Sequence, residues 1–194
     1  MSRWLVMPRG INVGKNHRVP MADLRKELSA AGYADVVTIG QSGNIIVTRH
    51  GTEGEIAAAV RQLLVNAFAV DVPVVVRHAD EVRDVLASNP LGGVATDGSK
   101  YLAIFLSAAP PFPETGQNAA SDATIPSDLA GGLVSGATDS TDPEVVQYAG
   151  RTVFVWHPDG VLAMKTSHAS LEKRFGITAT ARNWNTLVKV AAKL

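Results

Sequence analysis

The order in which two hydrophobic periods alternate over the first 78 residues restricts this chain more than any other feature. Residues 4–8 form a short apolar run that ends in a proline and meets a glycine. Met21, Leu24, Leu28 and Ala31 then recur at helical spacing, with Pro20 suited to a first helical position and Gly32 as a stop. Two β-branched runs, residues 36–39 and 45–48, flank the turn Gly40-Gln41-Ser42-Gly43-Asn44. Thr52 and Glu55 have the spacing of a capping box, ahead of Ile56, Val60, Leu63, Leu64, Ala67 and Phe68. Residues 72–77 read as another strand, with Pro73 near its start, where a missing donor is tolerable. Together these give β-α-β-β-α-β, the ferredoxin-like order.

The fold expectation is therefore α+β: a ferredoxin-like unit over 1–78, a helical connector over 79–99, and a second, related α+β unit over 100–194 that ends in a helix. In the second unit, residues 101–106 read as a strand and residues 144–148 and 151–156 as a hairpin around Ala149-Gly150. His157-Pro158-Asp159-Gly160 is a strong turn. Leu171 and Phe175 mark one helix; Trp184, Leu187, Val188 and Ala191 mark the last. Residues 108–143 follow neither period and read as a long, mobile connection, with one helical turn near Asp128.

Composition narrows the function classes. The 194 residues include no cysteine, which excludes disulfides, thiolate catalysis and Cys-ligated metals. With no membrane-length apolar run and no signal-like start, a soluble cytoplasmic protein without membrane partners is expected. The formal charge is zero but unevenly spread: +4 over 1–33, −3 over 34–108, −6 over 109–148 and +5 over 149–194. Each basic block carries a polar motif. The first is Arg9-Gly10-Ile11-Asn12-Val13-Gly14-Lys15, and the second is Arg182-Asn183-Trp184-Asn185.

The first motif is not a phosphate loop. That loop needs G-x-x-x-x-G-K-[ST] running directly into a helix. Here the spacing is one residue short, Asn16 stands where a hydroxyl is needed, and the helix waits until Pro20. A weaker reading survives: a glycine loop with Arg9, Lys15 and Arg18 before a helix is an anion-binding surface. Gln41-Ser42-Gly43-Asn44 is either plain turn chemistry or a row of hydrogen-bonding groups beside that loop. In the second motif Asn183 reads as an N-cap and Trp184 as the start of the apolar stripe. Arg182 and Asn185 are left over, and an arginine there opposes the helix macrodipole. A structural helix start and an anion site explain it about equally.

These motifs, with Val19-Pro20-Met21, Leu24 and Thr186, resemble a bacterial family known as domain of unknown function 1697. The resemblance spans nearly the whole chain and implies a fold but no reaction. The family's loop usually has further glycine after Gly14, where this chain has Lys15-Asn16-His17.

No catalytic constellation is legible. Ser170-Leu171-Glu172-Lys173 matches S-x-x-K without the companion motifs of that chemistry, and G-x-S-x-G is absent. The five histidines lack metal-ligand spacing, so neither metal nor cofactor is expected. The expected partner is a small anionic ligand, held by Arg9, Asn12, Lys15, Ser42, Asn44, Arg182, Asn183 and Asn185 in one basic groove. Arg9 and Arg182 are expected on the same face. The alternative is an RNA-binding ferredoxin-like module, disfavoured by neutral charge, few aromatics and no RNP-like strand. The oligomeric state is not legible.

Overall fold

The computed structural model describes residues 1–14, 17–110 and 143–194. Among them are two four-stranded antiparallel sheets and five α-helices, an α+β protein. The chain divides into two compact units: Met1–Ser88 with Thr186–Leu194, and Asn89–Asn185.

Strand β1 (Ser2–Pro8) is an inner strand of the first sheet, and its sequence suits that position. Trp4 and Val6 join a core shared with the helices, while Leu5 and Met7, on the other face, are equally buried. Burial on both faces requires an unbroken apolar run rather than alternation. The chain continues through α1 (Met21–Ala30), β2 (Ala34–Ile39), β3 (Asn44–Arg49), α2 (Glu53–Phe68) and β4 (Val74–His78). Spatially the strands lie in the order β2-β3-β1-β4, all antiparallel, with Leu5 opposite Ile46 on one side and Arg77 on the other.

Helices α1 and α2 pack through Met21, Leu24, Leu28, Ile56, Val60 and Leu64, the stripes their spacing predicts. Gly32, at φ +82°, ends α1: its N–H donates to Ser29, and Tyr33 N–H donates to Leu28. That pair of bonds satisfies the carbonyls a helix leaves open at its C-terminus. Thr52 and Glu55 form the expected reciprocal capping box on α2. Helix α3 (Ala79–Ser88) follows β4 without a linker. The last residues of the chain are fixed to this unit by Arg3, whose Nε and Nη2 donate to the Lys193 carbonyl at 3.1 and 2.7 Å.

The second sheet contains β5 (Tyr101–Leu106), β6 (Val145–Ala149), β7 (Thr152–Trp156) and β8 (Ala179–Asn183), in the order β6-β7-β5-β8. This is the strand order of the first sheet, element for element. Helix α4 (His168–Phe175) closes with Gly176 in the left-handed region, and α5 (Trp184–Ala191) follows β8 directly. The connection expected over 108–143 lies mostly outside the described residues. Two sequence expectations are corrected here. Arg182 lies within strand β8 and not in a helix start, and Asn183 ends that strand immediately before α5. The buried stripe of α5 is Leu187 and Val190, while Val188 is half-exposed.

Candidate functional site

The loop after β1 is defined by its backbone. Gly10, Asn12 and Gly14 have φ of +70°, +56° and +63°, whereas Ile11 and Val13 between them do not enter that region. Glycine adopts it without steric cost and asparagine tolerates it, which accounts for the residue choice at alternate positions. Where left-handed residues alternate with right-handed helical ones, successive N–H groups turn toward a common side and suit an anion. The Asn12 N–H is committed to the His17 carbonyl at 3.0 Å. The amides of Gly10, Ile11, Val13 and Gly14 make no hydrogen bond to other described residues. Gly10 and Gly14 face open space, and Val13 is 66% exposed.

The loop is braced from below. Ile11 is buried in the first core. The Asn12 carboxamide donates to the carbonyls of Val19 and Gln41 at 2.8 and 2.9 Å and accepts from Val19 N–H at 2.8 Å. The β2–β3 turn thus lies against the loop, and Gly43 shows how closely: a Cβ there would sit 2.9 Å from Ile11 Cδ1. Asn44 is buried and donates to the Ile39 carbonyl at 3.0 Å and to Ser42 Oγ at 3.2 Å.

Of the residues the sequence singles out, the first unit brings Arg9, Asn12, Ser42 and Asn44 into this loop-and-turn region. Asn12 and Asn44 shape it from inside, while Ser42 is exposed and Arg9 half-buried. Arg9 N–H is anchored to the Pro73 carbonyl at 2.9 Å. Lys15 lies outside the described residues. Arg18 is exposed and has no carboxylate partner among the described residues.

Arg182, Asn183 and Asn185 belong to the second unit. Arg182 is 7% exposed, and its Nη1 donates to Thr180 Oγ1 and the Ala181 carbonyl, both at 2.8 Å. Burial lowers its pKa to about 10, because removing a guanidinium from water disfavours its charged form. Trp184 stacks on Tyr101 with centroids 4.5 Å apart, and Asn185 lies so close to Gly98 that a Cβ there would be 2.4 Å from its Oδ1. Packing therefore accounts for the tryptophan and for the tight fit of the second asparagine.

Arg77 was missed by the sequence reading. It occupies the next-to-last position of β4, as Arg182 does in β8, and donates through Nη1 to the preceding carbonyl, Val76, at 2.7 Å. Its charge is met by Glu81, one helical turn on, at 2.9 Å from Nε. The Arg-x-x-x-Glu spacing was a readable signal, but a lone arginine in a valine run carries no motif.

A family model described as a protein of unknown function, DUF1697, matches residues 1–130. The chain belongs to the DUF1697 family. The match takes in β1 to β4, the glycine loop and the Gln41-Ser42-Gly43-Asn44 turn. No curated protein matches this DUF1697 chain. Its fold is similar to that of a solved structure described as conserved bacterial protein SP0830 from Streptococcus pneumoniae. The TM-score is 0.59 at 22% identity, over 99% of this chain and 98% of that one. At that identity the likeness speaks to the fold alone. Among the described residues no three His, Asp or Glu side chains are placed to hold a metal, and no helix is long and apolar enough to cross a membrane.

Proposed function

We propose that this DUF1697 protein binds a small anionic ligand at the 9–14 loop of its first unit, on a ferredoxin-like scaffold. The strand order β2-β3-β1-β4 with two helices on one face supports the scaffold assignment. The observation that carries the ligand is the left-handed alternation at Gly10, Asn12 and Gly14, together with amides of Gly10, Ile11, Val13 and Gly14 that make no hydrogen bond to other described residues. Arg18 adds an exposed cation in the same segment. Arg182 supports the reading least, since it is buried and its Nη1 donates within β8. The RNA alternative needs a sheet face that offers aromatics to bases. Both faces of β1 are buried, including Trp4, so it is the weaker reading.

The test is a metabolite thermal-shift screen weighted toward phosphates and carboxylates, followed by amide-resolved NMR titration of any hit. A ligand at about 100 times its dissociation constant adds roughly 2.7 kcal/mol of stability. The expected result is saturable shifts at Gly10, Val13 and Gly14, weakened by Arg18→Gln. Loop amides indifferent to every anion that stabilises the protein would overturn the reading, as would tighter, steeply salt-dependent binding of single-stranded RNA.

A further inference from the structure

A separate basic cavity of about 390 Å³ lies within the second unit, lined by Tyr148, Thr166, Ser170, Leu171, Lys173 and Arg174. Helical spacing brings Ser170, Lys173 and Arg174 to one side of α4. Glu172, the neighbouring carboxylate on α4, accepts from Ala179 N–H of β8 at 2.9 Å. Three other exposed cations sit beside carboxylates, Arg61 at 2.6 Å from Asp71, Arg83 at 2.5 Å from Asp80 and Lys26 at 3.7 Å from Asp23, whereas Arg18, among the described residues, does not. Lys173 and Arg174 have no such partner among the described residues. Two cations in the last turn also suit the helix macrodipole, but that effect gives no reason for a cavity.

The hydroxyls say what the cavity does not do. Thr166 Oγ1 donates to the buried Glu144 at 2.6 Å, and Ser170 Oγ donates to the Ser167 carbonyl at 2.9 Å within the cap of α4. With its proton donated to the Ser167 carbonyl, the Ser170 hydroxyl serves the cap of α4, and we do not read Ser170 and Lys173 as a catalytic pair. The floor is apolar: Leu171 is 3% exposed, and the Tyr148 ring packs edge-on against Phe175, centroids 6.5 Å apart.

We propose that this cavity binds a phosphate group borne on a small apolar moiety. The Lys173 ammonium and the Arg174 guanidinium take the phosphate oxygens, and the apolar part rests on Leu171 and the Tyr148 ring. A forked guanidinium beside a point-charge ammonium suits a dianion with three terminal oxygens better than a carboxylate with two.

The test uses the ¹⁵N-labelled full chain titrated with inorganic phosphate and with phenyl phosphate at constant ionic strength, sodium chloride serving as control. Saturable shifts confined to residues 166–174 and 148, stronger for phenyl phosphate, are expected. The Lys173→Gln/Arg174→Gln variant, whose replaced side chains are exposed, should lose about tenfold or more in affinity while keeping a native spectrum. Arg18→Gln should change nothing here, so failure of the loop site and failure of this cavity are told apart by which amides move. Shifts matched by chloride, or unchanged affinity in the double variant, would overturn the proposal. Equal affinity for the two phosphates would overturn its apolar half.

Discussion

The side chain of Asn12 and the backbone of Val19 exchange two hydrogen bonds, each 2.8 Å long. One carboxamide thus does for Val19 what a neighbouring strand would do, and its second N–H proton reaches the Gln41 carbonyl. Only a group with donors on one atom and an acceptor on the other fits. Asn12→Asp would put acceptors against two carbonyls, and Asn12→Ala would leave a β-carbon at φ +56° with all three bonds lost. Each substitution should cost about 2–4 kcal/mol by urea unfolding, from unpaired polar groups and left-handed strain. An Asn12→Asp variant as stable as the parent would show that the loop does not depend on this brace.

Gly40 and Gly43 lie in one turn and share positive φ, at +66° and +74°, but differ in surroundings. A Cβ at Gly40 meets open space, whereas one at Gly43 strikes Ile11. Gly40→Ala should cost about 1 kcal/mol from backbone strain alone. Gly43→Ala should cost about 1–3 kcal/mol more, as overpacking does. Ile11→Val removes the contacting Cδ1, so the double variant should regain part of that excess. Equal losses at the two glycines would mean that the turn and the loop are not in close contact.

The first unit was legible because its elements are long and strongly periodic, and because Thr52, Gly32 and the 40–44 turn mark their ends. Strand β8 was not legible. Its sequence, Ala179-Thr180-Ala181-Arg182-Asn183, is short and alanine-rich, and alanine favours a helix unless a sheet recruits it. Missing that strand placed Arg182 at a helix start, where its charge looked anomalous; within a strand its guanidinium is occupied. The candidate loop was recognised by its glycines and asparagine. Its mode of construction was not, because only coordinates show that Asn12 and Asn44 bond inward. The cavity beside α4 escaped because it joins residues of β6 to residues of α4 about 20 positions away, with no shared motif.

Arg77 is 1% exposed, and the Glu81 carboxylate is 2.9 Å from its Nε. Breaking a buried pair from one side costs more than replacing both partners, because a desolvated charge is left behind. Glu81→Ala should therefore destabilise by about 2–4 kcal/mol, the lower end reflecting the partial exposure of Glu81. Arg77→Met combined with Glu81→Ala should recover most of the loss. Denaturant titrations showing Glu81→Ala within about 0.5 kcal/mol of the parent would remove Glu81 as the counter-charge.

All three tyrosines of the chain are held above their usual pKa near 10, in each case chiefly by burial. The guanidiniums of Arg49 and Arg174 partly offset this at Tyr33 and Tyr148. An acid whose folded pKa is raised keeps its proton where the unfolded chain has lost it. Its contribution to stability is thus complete below about pH 10 and declines above that. Arg182 has the opposite sign: with its folded pKa lowered to about 10, it sheds its proton before the unfolded chain does, and that adds stability as pH rises further. The shift at Tyr101 is at least as large as the opposing one at Arg182, and Tyr33 and Tyr148 add to it, so the net effect is an alkaline loss. Absorbance at 295 nm should stay low through pH 10, then rise together with the loss of far-UV ellipticity. Tyrosinate appearing near pH 10 with ellipticity intact would show that the phenols ionise freely in the fold, contrary to their burial.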